Sequence, residues 1–152
     1  MLRSILMGLV AGQRSMTPLA VLAGAAREGR LPYDNAEAAL LSTRFAAAGG
    51  TAMAGAEMAG DKMETAPDRT VFLGLLARTI TSGFAGGALA PPRRRLAGAA
   101  LGVGAAIASS HAGLAARKWA MRRWGQTATG FVEDAIVLAA GWAVANTRPV
   151  NA

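Results

Sequence analysis

The chain contains no cysteine, which excludes disulfides, thiol nucleophiles and thiolate metal sites. Histidine occurs once, at His111, and tyrosine once, at Tyr33. A single imidazole leaves little from which to build a Ser-His-Asp triad or a multi-histidine zinc site. Charge is also scarce, with 16% of the 152 residues charged against roughly 25% in soluble domains. Hydrophobic residues make up 53% and mean hydropathy is +0.31. These values imply one domain over residues 1–152 that is lipid-embedded rather than water-soluble. The apolar content is mostly Ala, Gly and Leu, and the 19 glycines would weaken a soluble helical core. In a bilayer, small residues let helix backbones approach closely.

Five apolar segments follow from the pattern, at about residues 2–26, 45–63, 71–90, 96–116 and 131–146. Each approaches the ~20 residues that a ~30 Å hydrocarbon core requires, the fifth being short. Pro67, Pro91-Pro92 and Trp124-Gly125-Gln126 are the stop signals between them, and the polar stretch 27–44 has the composition of an interfacial segment. The expected fold is an all-α polytopic membrane bundle of about five helices. The N-terminal run has a signal-peptide flavour, but it stops at Gln13-Arg14-Ser15 instead of a small-residue cleavage site and resumes at Met16. It reads as a retained, interrupted first helix. Gly8 and Gly12, Gly83 and Gly87, and Gly98 and Gly102 are each four apart, the spacing of close helix contacts.

Six ionisable residues fall inside these segments: Arg14, Glu57, Asp61, Arg78, Glu133 and Asp134. An intramembrane charge costs about 2.5–3.5 kcal/mol on insertion scales, so it tends to face a partner or a watered cavity. Glu57 and Asp61 lie one turn apart on one face and repel unless a cation separates them. Glu133 and Asp134 are adjacent and point roughly 100° apart, so only one of them aims straight at a shared cavity. Two arginines against four acids leave a surplus of two negative charges. That surplus invites a proton, a metal ion or a cationic ligand, or a carboxyl kept neutral. The divalent-cation candidates are Glu57, Asp61 and Glu133, and no cofactor is otherwise required.

Arg14-Ser15-Met16-Thr17-Pro18 loosely parallels Arg78-Thr79-Ile80-Thr81-Ser82-Gly83, an arginine followed by hydroxyl residues and a helix-weakening Pro or Gly. With an acidic pair after each, the halves 1–70 and 71–152 have the form of a duplicated, transporter-like core with an interrupted helix in each, an inverted repeat being one form of it. His111, after Ser109-Ser110, has the pKa range of a proton relay or serves as a helix-stitching hydrogen bonder. Arg69 and the Arg93-Arg94-Arg95 run are suited to lipid phosphate or to solvated loops. Trp119, Trp124 and Trp142 fit interfacial anchors.

The net charge of +7 has no aromatic-interleaved basic stretch beside it, so basic loops on an anionic membrane explain it better than nucleic acid. With five spans the loop Lys and Arg counts tie at seven on each side, Arg117 among them, so orientation is undetermined.

The series Gly12-Gln13-Arg14-Ser15-Met16-Thr17-Pro18, Glu57-Met58-Ala59-Gly60-Asp61-Lys62, Pro67-Asp68-Arg69, Arg78 with Ser82-Gly83, His111 with Arg117, and Glu133-Asp134-Ala135 resembles domain of unknown function family 4126. The likeness covers nearly the whole chain. It departs from the family at Met63-Glu64-Thr65-Ala66, where the family pattern is shorter and more apolar. The resemblance implies a small bacterial protein of the inner (cytoplasmic) membrane, multi-pass, whose polar residues share a site; it implies no activity.

Three functions remain, in this order. The first is transport or binding of an ion or anionic lipid head group by Arg14, Ser15, Glu57, Asp61, Lys62, Arg69, Arg78, His111, Glu133 and Asp134. The second is a structural or assembly protein clamped by Arg–carboxylate pairs, with a homo-oligomer compatible with either. The third is a metal-dependent enzyme on a lipid phosphate, ranked last because no nucleophile or phosphate-cradling loop is recognisable.

Overall fold

A computed structural model describes residues 1–31, 35–61, 63 and 70–147. Those residues form α1 (Leu2–Gln13), α2 (Thr17–Arg27), α3 (Ala36–Leu41), α4 (Arg44–Gly60), α5 (Phe72–Ala88), a 3-10 turn at Pro92–Arg94, α6 (Arg95–Trp124) and α7 (Gln126–Asn146). No strand occurs among the described residues. Two helical stretches are long and apolar enough to cross a membrane, Pro92–Trp124 and Gln126–Asn146.

The boundaries have local causes. Asn35 accepts from the Ala38 amide at 2.9 Å and Thr43 from the Ala46 amide at 3.2 Å, capping α3 and α4. Pro91 and Pro92 follow α5 and cannot continue it. Gly125 separates α6 from α7 with φ of 78°, a left-handed conformation that a side chain would strain. The fourth expected segment runs eight residues further than its apolar pattern, to Trp124, and the fifth begins five residues earlier, at Gln126.

The first expected span is where the structure departs most from the sequence pattern. It is two short helices, and α2 does not continue α1. Val10, Thr17 and Val21 all come against Gly141, which requires α2 to fold back beside α1. The two form a hairpin with its tip at Arg14–Ser15–Met16, where Arg14 is extended (φ −137°, ψ 112°). At about 1.5 Å per residue the arms are roughly 18 and 16 Å long, so neither arm spans a ~30 Å layer.

Around this hairpin the other helices run end to end. Ser4 Oγ donates to Gly86 O at 2.9 Å, and Arg3 donates to the carbonyls of Val144 and Ala145 at 3.1 and 3.0 Å. Those bonds gather the start of α1, the end of α5 and the end of α7 at one end, here the near end. Arg95 pairs with Glu37 there too. The far end holds the α6–α7 turn and the last residues of α4, joined by Gln126 Nε2 donating to Asp61 O at 3.3 Å and Met63 O at 2.9 Å. The apolar core, with Met7, Leu22, Leu41, Ala88 and Leu89, fills the near half.

α1, α5 and α6 pack backbone against backbone. A Cβ on Gly102 would lie 2.6 Å from Ser82 O, and one on Gly98 2.6 Å from Gly86 O. Gly8 and Gly12 face the α6 carbonyls of Gly102 and Ala106 in the same way. The expected pairs on α1 and α6 therefore make close contacts, and the pair on α5 does not. Gly83 meets only Val103, and Gly87 meets Glu37 and Arg95 O, so the close face of α5 is Ser82 and Gly86. The interrupted helix expected in the second half is likewise not formed: α5 runs unbroken through Arg78, Ser82 and Gly83.

Gly102→Val should therefore lower the unfolding midpoint of the purified protein, by about 1–3 kcal/mol of overpacking. Gly104→Val, which has open space around its Cβ position, should change it much less. Equal midpoints would refute the seam.

Candidate functional site

The hairpin tip creates a problem that the charged residues solve. A helix end leaves up to four carbonyls or four amides without intrahelical partners, and burying them unpaired is costly. At Arg14–Ser15–Met16 the carbonyl end of α1 and the amide end of α2 meet in the interior, with Arg14 fully buried and Ser15 nearly so.

Glu57, on the last turn of α4, takes the amide end. Its Oε1 accepts from Ser15 N at 2.8 Å and Ser15 Oγ at 2.9 Å, and its Oε2 accepts from Met16 N at 2.9 Å. A carboxylate at a helix N-terminus is also favoured by the helix dipole. The carbonyl end of α1 is held by donors from α5 and α6. Arg78 Nε donates to Gly12 O at 3.1 Å, Ser110 Oγ to the same oxygen at 3.1 Å, and Ser109 Oγ to Leu9 O at 2.8 Å. Arg78 also reaches back to Gly74 O at 3.0 Å and stands 3.7 Å from Glu57 Oε1. Glu57 and Arg78 are thus two terminus caps that face each other across the tip.

The remaining charges form a continuous chain on the far side of the tip. Arg14 Nε donates to Asp134 Oδ1 at 2.8 Å, with Nη2 2.7 Å from the same oxygen, and its Nη1 pairs with Asp61 Oδ2. Arg117 Nη1 reaches Asp61 Oδ2 at 3.0 Å and Glu133 Oε2 at 3.1 Å, while Nη2 donates to the Asp61 carbonyl at 2.8 Å. The order is Asp134, Arg14, Asp61, Arg117, Glu133. Glu133 and Asp134 both join it, because each takes a different arginine, so the ~100° between them does not exclude either.

Arg117, a loop charge by the apolar pattern, is a member of this chain. It stands on continuous helix, seven residues and about two turns beyond Ser110, hence on the same inner face. That spacing was the available signal, and the end of the apolar run at residue 116 masked it. With Arg117 counted, four acids meet three arginines among the described residues, and the surplus falls from two to one.

His111 is not brought to this site. It is exposed on α6, its neighbours Ser109 and Ser110 turning inward instead. Lys62, Arg69 and the 64–66 part of the departing link lie outside the described residues. Arg93 and Arg94 are exposed at the near end, far from the network in the fold. The metal candidates Glu57, Asp61 and Glu133 do not assemble: no group of three His, Cys, Asp or Glu with ligand geometry occurs among the described residues. Arg117 lies between Asp61 and Glu133, and backbone amides hold Glu57.

Below the tip, α6 and α7 splay apart around a cavity of about 720 Å³. Its inner end is Gln13, Arg117 and Glu133, and its walls include Ala116, Ala120, Trp124, Val132 and Ile136. Gln13 is fixed against α6 at that end. Its Nε2 donates to Ser109 O and Oγ at 2.8 and 2.6 Å, and its amide fills the place a Cβ on Gly113 would take.

Comparison of the chain with protein-family models, curated proteins and solved structures finds no match.

Removing Arg14 leaves Asp61 and Asp134 without their shared partner, and breaking a buried pair from one side costs about 3–5 kcal/mol. Arg14→Gln should lower thermal stability by that order. Arg30→Gln removes a surface pair with Glu28 and should cost less than about 1 kcal/mol. Comparable losses for the two variants would contradict the network.

Proposed function

We propose that the protein is a small multi-pass protein of the bacterial inner (cytoplasmic) membrane that binds or carries a small ion-bearing or amphiphilic ligand in the α6–α7 cavity. The observation that carries this reading is a cavity of about 720 Å³ whose apolar walls end on the Arg117–Glu133 pair. Small-molecule sites have this form, roughly 300–1,000 Å³ with a few convergent polar groups.

Membrane residence is supported by inverted polarity. Phe45, Phe72, Leu73, Phe131 and Trp142 are exposed on the outer faces of α4, α5 and α7, while Arg14, Arg78 and Asp134 are buried. Exposed apolar area on this scale is a liability in water and is matched by lipid. On this reading α4 to α7 cross the bilayer, and the α1–α2 hairpin enters and leaves on one side. Interrupted helices meeting at depth are a recurring way to build a transport site. Among the described residues, Arg3, Arg27, Arg30, Arg44, Arg93, Arg94 and Arg95 belong to the near end, and Lys118, Arg122 and Arg123 to the far end. The near end is therefore the cytoplasmic one.

Two experiments test this. The cysteine-free chain allows single-cysteine labelling at Leu2, Glu28 and Thr127, all exposed. A membrane-impermeant maleimide should reach positions 2 and 28 from the same side and position 127 from the other. A first helix that crossed once would put 2 and 28 on opposite sides. The ligand is tested by mass spectrometry of organic extracts from purified wild type and Val132→Trp, which obstructs one wall of the cavity. A species stoichiometric with wild type and lost from the variant is expected, and identical extracts would defeat the binding reading.

The clamp reading has one observation in its favour: each of the four acids is engaged by an arginine or by backbone amides. It accounts for Glu57, Arg78 and Arg14. It gives no role to a cavity that opens on the last pair of the chain.

A further inference from the structure

We infer that the protein pairs with a second copy of itself across the outer face of α6, with His111 of each copy against the partner's His111. The inference rests on the membrane placement above and is independent of what fills the cavity.

The observation that carries it is where His111 stands. Among the described residues its imidazole has no hydrogen-bond partner, and it is exposed on the side of α6 opposite Gly102, Ala106 and Ser109. The apolar run of α6 continues to residue 116, about 7 Å beyond His111, so in the bilayer this ring faces hydrocarbon. Polar side chains at that depth face a protein interior or pair with one another, because lipid tails offer no hydrogen bond. The interior of this protomer is on the other side of the helix. A neutral imidazole has one donor and one acceptor nitrogen, which makes it complementary to a copy of itself. A two-fold axis beside α6 brings the N–H of one ring to the free nitrogen of the other.

The residues around His111 fit that occupant better than lipid. Ala97, Leu101, Gly104, Ala108, His111 and Ala115 are all exposed and are spaced alternately by four and three. That is the 3.5-residue repeat of a helix that packs along another. Four of the six are Ala or Gly, so two backbones can come close enough for a short side chain to bridge them. Outward positions on neighbouring helices are large instead: Phe72, Leu73 and Ile80 on α5, Phe131 and Trp142 on α7. The outer face of α4 exposes Ala48, Ala52 and Ala56 but no imidazole. Copies inserted the same way round place the two α6 helices parallel, and like residues meet. Gly113, Arg117 and Ala120, which line the cavity, lie on the opposite face of α6, so pairing leaves the cavity open.

The cysteine-free chain lets the face be read directly. Leu101→Cys, Ala108→Cys and Ala115→Cys, one per heptad, should each give a disulfide-linked dimer on mild oxidation in liposomes, because a parallel two-fold contact brings like positions within disulfide reach. Ile80→Cys on α5 and Ala52→Cys on α4 should not. Association is measured by energy transfer between labelled copies over a range of protein-to-lipid ratios. His111→Leu should weaken it about three- to thirty-fold, the range of one hydrogen bond between membrane helices. His111→Asn, which keeps a donor and an acceptor, should recover most of that loss. Ala108→Trp should abolish association, whereas Val132→Trp, on the cavity wall, should associate like wild type. The pairing is overturned by a wild type that stays monomeric at every ratio, by His111→Leu associating as tightly as wild type, or by cross-links absent from the stripe or appearing at Ile80→Cys or Ala52→Cys instead. Any of these leaves the ligand reading standing, and the maleimide labelling above reads membrane placement separately.

Discussion

A helix broken in the protein interior must have its backbone ends paired, and the arrangement of this protein follows from that requirement. Arg14–Ser15–Met16 turns the chain back on itself and presents carbonyls and amides to the interior. Glu57 covers the amides, and Arg78 and Ser110 cover the Gly12 carbonyl. Each charge also matches the dipole of the helix end it meets, negative at the start of α2 and positive at the end of α1. Two of the six charges that mark this sequence are therefore occupied in closing the break. The network left for other purposes is the chain from Asp134 to Glu133.

The helices divide by charge. The three buried arginines come from the tip of α1, from α5 and from α6, and all four carboxylates come from α4 and α7. α1, α5 and α6 are bound by glycine-mediated backbone contact, whereas the link from these three to α4 and the far half of α7 is ionic. Close packing is short-range and tolerates no insertion, so no space opens inside the first group. Ionic links between long side chains span a wider gap. The cavity lies where that gap is, between α6 and α7, with Gln13 lining it from the α6 side.

Much of this was legible in the sequence. Pro91-Pro92 and Gly125 mark real ends, the small-residue spacing on α1 and α6 marks real contact faces, and four of the six charges within the apolar segments join one network while Glu57 and Arg78 cap the helix ends beside it. Other parts were not legible. Hydropathy counts residues without direction, so 2–26 reads as one span although its halves run opposite ways. Arg117 lies one residue past an apolar run, and a window on hydrophobicity ends there even though the helix continues. Gly83 and Gly87 have the spacing of a contact pair, but the rotation of α5 that points Ser82 and Gly86 at α6 is set by its neighbours.

The sequence by itself determined that the chain is helical, that its apolar segments carry a few charges at depth, and where most helices stop, because composition, periodicity and proline or glycine breaks act over a few residues. Tertiary structure alone decided that α2 returns beside α1, which carboxylate meets which arginine, that Arg117 belongs inside and His111 outside, and that a cavity separates α6 from α7. Those outcomes depend on the direction and rotation of helices distant in sequence. Direction and rotation are set by mutual packing and by pairing of buried polar groups, and neither has a local signature.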